Sequence, residues 1–471
     1  MKYIPVIGLE IHAELLTKTK IFCSCENGFG GEPNTRVCPV CSAMPGTLPV
    51  LNREVVTKAI QSGIILGCKI NNNSTFERKN YFYPDLPKAY QITQMSKPVC
   101  SNGLVEIGDS KIRINRIQIE EDAGKLIHDG TKNISSVDFN RCGVPLIEIV
   151  TEPDFSSADE VCEFVREVAL RLRYAGVCNS KLEEGSIRVD VNISLKTLNS
   201  FKKGIRAEIK NLNSLKSIKR AIEYEIKRQS ELLDNGNEVK KETRRFDENL
   251  EKTFFMRLKE EASQYRFFPE PDIPPLFITE DEINTIRKNI PLMPNELKKK
   301  YIDEYKLSCE DAELIISNKE FCDFYEEVIK IFSENNTVAK FMLTEVNRNL
   351  NDFDIRIQDA CITPKDVAEL LIMISQKQIT HNAAKEILKI MFKTGDKPEK
   401  IAIDERLITT DNWDEFLKVA KQVLEDNKEN VEDYKNGNEK LFGYFIGQIL
   451  RKLPKSADPQ IVRQILTDLL K

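Results

Sequence analysis

Apolar and polar residues alternate with period two along several stretches of the first 290 residues, clearest at 6–15, 111–120, 187–195 and 204–210. That spacing predicts strands with one face buried and the other polar. Two stretches switch to helical spacing. Ser157 and Glu160 stand at capping-box separation, and Val161, Phe164, Val165, Val168 and Leu172 follow as one apolar stripe. The second predicted helix covers residues 214–233 and stops at Asn235-Gly236. Strands and helices mixed without strict alternation predict an α+β domain on a mostly antiparallel sheet.

After the prolines at 269, 271, 274, 275, 291 and 294 the pattern changes to Lys/Glu-rich helical periodicity. A second break at Thr394-Gly395-Asp396-Lys397-Pro398 leads into a predicted extended piece over 401–410, and then short helices. Leu441, Phe442, Phe445, Ile446, Ile449, Leu450 and Leu453 form one apolar stripe; Ile461, Ile465, Leu466 and Leu469 form another. The predicted organisation is a large α+β domain over residues 1–292, an all-α domain over 293–405 and a small helical tail domain over 406–471.

Composition narrows the function classes. The 471 residues are 41% hydrophobic and 30% charged, a globular balance that excludes wholesale disorder. A net charge of −5 excludes a global basic field, so any nucleic-acid contact must use a local patch. No apolar run reaches the ~18–20 residues of a membrane helix. Glu10 and His12 interrupt the apolar N-terminus, which reads as a strand rather than a signal peptide. A cytoplasmic location with reduced thiols is expected.

Four of the twelve cysteines cluster, as Cys23-Ser24-Cys25 and Cys38-Pro39-Val40-Cys41. Four thiolates at that spacing can wrap one tetrahedral Zn²⁺ in a closed, structural site, the alternative being free thiols or a vestigial knuckle. Cys68, Cys100, Cys142, Cys162, Cys178, Cys309, Cys322 and Cys361 are expected to be buried apolar residues.

In the strand pattern Gly8, Glu10 and His12 share one face, while Ile7, Leu9 and Ile11 share the other. Asp190 in Arg188-Val189-Asp190-Val191-Asn192 and Glu208 in Arg206-Ala207-Glu208-Ile209-Lys210 repeat the arrangement. Gln118-Ile119-Glu120-Glu121-Asp122 adds acids at a strand end; alternation aims Glu120 with Gln118, whereas a turn there would aim Glu121. Carboxylates on four strands, with His12 and nearby Lys or Arg, are what a Mg²⁺–phosphate site needs. Between them, residues 78–91, from Arg78-Lys79-Asn80-Tyr81-Phe82-Tyr83-Pro84-Asp85 through Pro87, Lys88, Tyr90 and Gln91, read as a rigid polar-aromatic loop suited to stacking on bases and to meeting phosphate through Lys79, the alternative being a proline-fixed loop whose tyrosines only pack. Neither a P-loop nor a dinucleotide fingerprint is present. In the tail, Gly447-Gln448 lies in an apolar stripe where a glycine permits close packing, and Arg451, Lys452 and Lys455 follow as a basic turn.

Taken in order, these segments together with Glu120-Glu121-Asp122-Ala123-Gly124-Lys125, Ala207-Glu208-Ile209-Lys210-Asn211-Leu212-Asn213-Ser214 and Tyr265-Arg266-Phe267-Phe268-Pro269-Glu270-Pro271-Asp272 closely resemble the B subunit of the tRNA-dependent amidotransferase family acting on misacylated Asp-tRNA(Asn) or Glu-tRNA(Gln). The resemblance spans essentially the whole chain. It implies a cradle domain that phosphorylates the tRNA-bound Asp or Glu carboxylate with ATP, before glutamine-derived ammonia displaces phosphate. It implies a heterotrimer, completed by an amidase subunit together with a small third subunit, and tRNA gripped by the helical and tail domains. The matching aminoacyl-tRNA synthetase is a further expected partner. Carried over by motif, Glu10, His12 and Glu120 or Glu121 (the family favouring Glu121) would hold Mg²⁺. Lys79, Tyr81, Asp190 and Glu208 would line the ATP and phosphoryl-transfer pocket. Cys41-Ser42-Ala43-Met44-Pro45 departs from the family's more usual Leu-Gly before Met-Pro, and the basic turn lacks the usual glycine. The competing reading is a non-catalytic tRNA-docking scaffold. Carboxylates on four strands weigh against it, because RNA docking alone would disfavour them.

Overall fold

The computed structural model describes residues 2–131, 133–182, 184–197, 204–258, 262–409, 413–435, 438–453 and 457–470. The chain divides into two compact units, Met1–Pro294 and Asn295–Lys471.

In the first unit the alternating stretches form strands β1 (Tyr3–Glu14), β2 (Lys69–Ile70), β3 (Glu77–Asn80), β4 (Tyr90–Thr93), β5 (Cys100–Ile107), β6 (Ser110–Glu121), β7 (Pro145–Thr151), β8 (Ile187–Thr197), β9 (Ala207–Lys210), β10 (Glu242–Asp247), β11 (Lys252–Leu258) and β12 (Phe268–Pro269). One nine-stranded sheet has the order β11-β10-β9-β8-β1-β7-β6-β5-β2, and a small sheet has the order β12-β3-β4. Every pair in the large sheet is antiparallel except β9–β10. Residues 204–206, expected to extend β9, lie outside it.

Helices α1 (Arg53–Ile65), α2 (Ala158–Tyr174) and α3 (Leu215–Asp234) belong to the core that covers one face of this sheet. Ile7, Leu9 and Ile11 of β1, Ile147 and Ile149 of β7 and Val189 and Val191 of β8 are buried there with Val161, Phe164 and Val168 of α2. At ~25 cal/mol per Å² of apolar area this burial is the main term holding the sheet's register, since a one-residue slip would turn every apolar side chain outward. Helix α2 starts where its cap residues dictate. Ser157 accepts from the Glu160 amide at 3.2 Å, while the Glu160 carboxylate accepts the Ser157 amide.

Among the described residues the named elements of the second unit are all helices, and its last part carries a core of its own. Phe416, Ala420 and Val423 pack with Phe445, Ile449 and Leu453 and with Val462, Ile465 and Leu466. The predicted fold class, an α+β domain followed by helical segments, is the one observed.

Further local expectations are corrected. The ends of the expected 78–91 loop are strands, Lys79 of β3 pairing with Gln91 of β4 and Asn80 with Tyr90, so only the middle of that segment is loop. Residues 401–404, expected to be extended, belong to the helix Pro398–Asp404, because Pro398 at its first position loses no hydrogen bond and pre-sets φ, and Ile401 and Ala402 bury. Only Ile408 is in extended pairing, as an isolated bridge to Ile379, and Thr410 lies outside the described residues. Cys309 and Cys361 are exposed rather than buried; Cys309 opens a helix on its outer side and Cys361 lies in a connection. Gly447 is exposed, with open space where a Cβ would stand, so it serves no close packing among the described residues.

Candidate active site

The polar face of the sheet carries the expected carboxylates. Register across β8, β1 and β7 sets Glu10 opposite Asp190 and His12 opposite Glu148. Glu148 lies opposite Gln118 of β6, and Asn192 of β8 opposite Glu208 of β9. Side chains two apart along a strand stand ~7 Å apart on one face, so these residues converge. All but Asn192 line a cavity of about 300 Å³ in which five carboxylates meet Lys79, Arg116, Arg206, Lys210 and Arg257.

Two acidic groups lie within it. His12, Glu120 and Glu148 each bring a ligand atom within 4.8 Å of the others, as do Glu10, Asp190 and Glu208. In the first group His12 Nε2 stands 3.2 Å from Glu120 Oε1, and Gln118 donates to Glu148. In the second, Asn192 donates to Glu10 at 3.0 Å and the Thr243 hydroxyl to Glu208 at 2.7 Å. Lys210 bonds Asp190 and reaches Glu208 at 3.4 Å.

The charges differ between the groups. Burial opposes a charged His12, but the Glu120 hydrogen bond and the charges of Glu120, Glu148 and Asp190 raise its pKa to about 9. Glu120, despite burial, is held down to about 2 by His12. Burial and the Glu120 charge push Glu148 up to about 7. In the first group, then, the imidazolium offsets one carboxylate and a proton on Glu148 relieves the other, and the group offers one imidazole and two carboxylates. That donor set fits a hard divalent cation that displaces the imidazole proton. In the second group Lys210 offsets one of three carboxylates, and their field raises its own pKa against the cost of burial.

Lys79 of β3 lines the cavity, its ammonium 5.0 Å from the centre of the Tyr265 ring and 5.6 Å from that of Tyr81. Tyr81 is not itself a lining residue. It meets Tyr265 edge-on at 6.1 Å, so the two rings together flank the Lys79 ammonium. Glu121 lies away from this cavity. As the next residue along β6 it faces the other way, where Lys88 pairs with it at 2.7 Å and the Ile92 amide donates to it at 3.0 Å. Alternation along the strand, and not a turn, decides the Glu120–Glu121 choice of position. Glu148 was not picked out in the sequence. Its signal is a lone carboxylate inside the apolar run 144–150, costly to bury unless it is used.

The four clustered cysteines come together on the loop after β1, with sulfur atoms all within 4.8 Å. Cys41 Sγ is 3.9 Å from both Cys25 Sγ and Cys38 Sγ. Tetrahedral zinc with Zn–S of ~2.3 Å requires edges of about 3.8 Å, so the set fits. A fully buried ammonium, Lys20, lies 3.8 Å from Cys41 Sγ. Hydrogen bonding from Cys23, with Lys20 beside it, holds the Cys41 thiol down to about 4. Thiolate charge at this cluster is what a buried ammonium needs.

The model of the GatB/GatE catalytic domain family matches residues 5–284, and that of the GatB domain matches residues 323–470. Over 475 residues the chain is 48% identical to the B subunit of the aspartyl/glutamyl-tRNA(Asn/Gln) amidotransferase of Caldicellulosiruptor saccharolyticus, with 99% of each chain covered. It is 47% identical to the protein of that name from Thermoanaerobacter pseudethanolicus over 472 residues, again with 99% of each covered. The one from Thermodesulfovibrio yellowstonii is 44% identical over the full length of both. Matches of this extent over both units, on a chain whose motif residues share one sheet face, have one meaning: the protein belongs to the family of B subunits of the aspartyl/glutamyl-tRNA(Asn/Gln) amidotransferases.

Proposed function

We propose that the cavity on the polar sheet face phosphorylates the side-chain carboxylate of Asp or Glu carried by a misacylated tRNA, with ATP as donor, and then admits ammonia to form the amide. The observation that carries this is the convergence of two carboxylate groups, His12, Lys79 and Lys210 in one cavity. In the first step a substrate carboxylate oxygen attacks the γ-phosphorus and ADP leaves. In the second, ammonia attacks the carbonyl carbon of the acyl phosphate, and phosphate and a proton depart.

A Mg²⁺ ion held by His12, Glu120 and Glu148, with Glu10 beside them, would supply charge neutralisation for the phosphoryl oxygens. The chain's own residues do the rest. Lys79 and Lys210 offer ammonium groups to the transferring phosphoryl group, and Asp190 and Glu208 hold Lys210 in place. The Tyr81 and Tyr265 rings flank the Lys79 ammonium and orient it toward the cavity, where limiting water matters because an acyl phosphate hydrolyses. Zn²⁺ on the four cysteines would be structural, since four protein ligands leave no open position.

The names of the relatives support a complex with further subunits. The proposed assembly is completed by an amidase that releases ammonia from glutamine and by a small third protein, with tRNA as its macromolecular substrate. The test mixes the protein, with and without these partners, with ATP and misacylated tRNA, and follows ADP and amide. ADP formation that depends on the misacylated tRNA and on Glu10 supports the reading. Amide formation undiminished in Glu10→Gln would make the chain a docking scaffold instead.

A further inference from the structure

The polarity of the sheet face changes along β1. At His12 and Glu10 it is charged; two residues further toward the N-terminus it reaches Gly8, which has no side chain, and then Val6. Across the strand pair, Gly8 lies opposite Asn192 and Val6 opposite Ser194. A second hollow of about 230 Å³ opens there, walled by Val6, Val150 and Pro153, with Asn192 and Ser194 at its edge. Glu10 and Arg206 border both this hollow and the charged cavity, so the two adjoin. Together they reach the ~300–1,000 Å³ range of small-ligand sites.

The local chain keeps the hollow open. A register shift between Val150 and Thr151 breaks the ladder to β6, and the Thr151 hydroxyl accepts the Leu9 amide at 2.9 Å, fixing that wall. A Cβ on Gly8 would stand 3.4 Å from Pro153, ordinary contact, so alanine fits and any longer side chain enters the hollow. Gly8 carries no positive φ, so its use here is space rather than conformation.

We propose that this Gly8 hollow receives the purine base of the nucleotide whose phosphates lie in the charged cavity. The inference rests on the reading above that the cavity binds ATP. Four strand residues from His12 to Gly8 span ~13 Å, a distance a nucleoside triphosphate laid along β1 covers. Apolar walls accept the faces of a planar base, and the Asn192 amide and Ser194 hydroxyl can hydrogen-bond its edge. The chain has no P-loop or dinucleotide fingerprint, so nucleotide affinity needs another source.

The experiment compares Mg²⁺-ATP with Mg²⁺-tripolyphosphate, which has the phosphates and no base, by calorimetry on the assembled protein. Native protein should bind ATP at least about tenfold more tightly than tripolyphosphate. Gly8→Val should remove that advantage and leave tripolyphosphate affinity and the KM for tRNA unchanged. Gly8→Ala, which the contact distance permits to fold, should weaken ATP by a smaller factor in the same direction. Equal affinity of native protein for the two probes would overturn the base site while leaving the phosphoryl-transfer reading intact. Loss of both probes together in the variants would overturn it too. So would unchanged ATP binding with a raised tRNA KM, which would assign the hollow to the terminal adenosine of tRNA. Native protein binding neither probe would remove the ATP reading itself.

Discussion

At the residue scale the candidate site depends on side chains that hold one another's charge. His12 and Glu120 form a 3.2 Å pair, and Glu148 beside them is pushed up to about 7. Replacing His12 with alanine removes a donor and leaves two acids against each other. Glu10→Gln removes charge from the neighbouring group. Either variant should lower tRNA-dependent ADP and amide formation at least ~100-fold, since losing a group that stabilises phosphoryl transfer costs several kcal/mol at ~1.4 kcal/mol per decade. Steady-state assay of both products, with tRNA binding measured alongside, checks this; a variant within a few-fold of native would remove the residue from the chemistry. The cysteine cluster carries a separate expectation. Protein purified without chelator should contain about one zinc per chain, and Cys38→Ser with Cys41→Ser should release it. Elemental analysis decides, and absence of zinc in the native protein would sink the assignment.

At the element scale, the end of the large sheet is tied to α3 by one buried acid. Glu225 of α3 is fully buried. It accepts from Arg228 at 2.9 Å and from Thr253 of β11, and stands 3.0 Å from Arg244 of β10. Despite burial, which raises it, Arg228 and the hydrogen bonds from Thr253 and Gln229 lower the Glu225 pKa below its ordinary 4.5. A depressed acid gives stability that is present above the unfolded value and lost as pH falls through the folded one. Glu225→Gln should therefore destabilise the protein at pH 7 by ~3–5 kcal/mol, the cost of breaking a buried charge network, since Arg228 and Arg244 are left to share Glu242 alone. That difference should shrink as pH falls below about 4.5. Denaturant titration at pH 7 and pH 3.5 tests it; a penalty equally large at both would refute the ionised network.

At the scale of the whole molecule, the strands and the candidate site lie in the first unit, and the tail has its own core in the second. The two should respond separately to mutation. Phe445 is fully buried in the tail, so Phe445→Ala should cost ~3–5 kcal/mol there without altering nucleotide binding. The basic turn after Gly447 is less free than its sequence suggests, because Lys452 pairs with Asp426 at 2.9 Å. Both partners are about half exposed, and such pairs contribute ~0–1 kcal/mol, little enough to yield to a phosphate. Lys455 lies outside the described residues. If this turn contacts tRNA, Lys452→Ala with Lys455→Ala should raise the tRNA KM and flatten the salt dependence of binding, as fewer counterions are released. An unchanged slope would assign the tail's affinity to another surface.

The sequence by itself determined the parts that depend on local pattern. Period-two alternation marks β1, β6 and β8, the Ser157–Glu160 box starts α2, and cysteine spacing marks a four-thiolate loop. Long contiguous motifs carry the family. Each of these is encoded within a few residues, where backbone geometry alone relates the side chains. Only the tertiary structure decided what depends on strand register and on distant neighbours. It aims Glu120 at His12 and Glu121 at Lys88, although both sit in one acidic run. It brings Glu148 beside His12, from an apolar run 136 positions away, because β7 pairs with β1. It places Lys210 between Asp190 and Glu208, so an ammonium joins one acidic group while an imidazole joins the other. And it leaves Gly447 open to solvent while Gly8 floors a hollow. A glycine's use is decided by what stands opposite it, and that is a property of the fold.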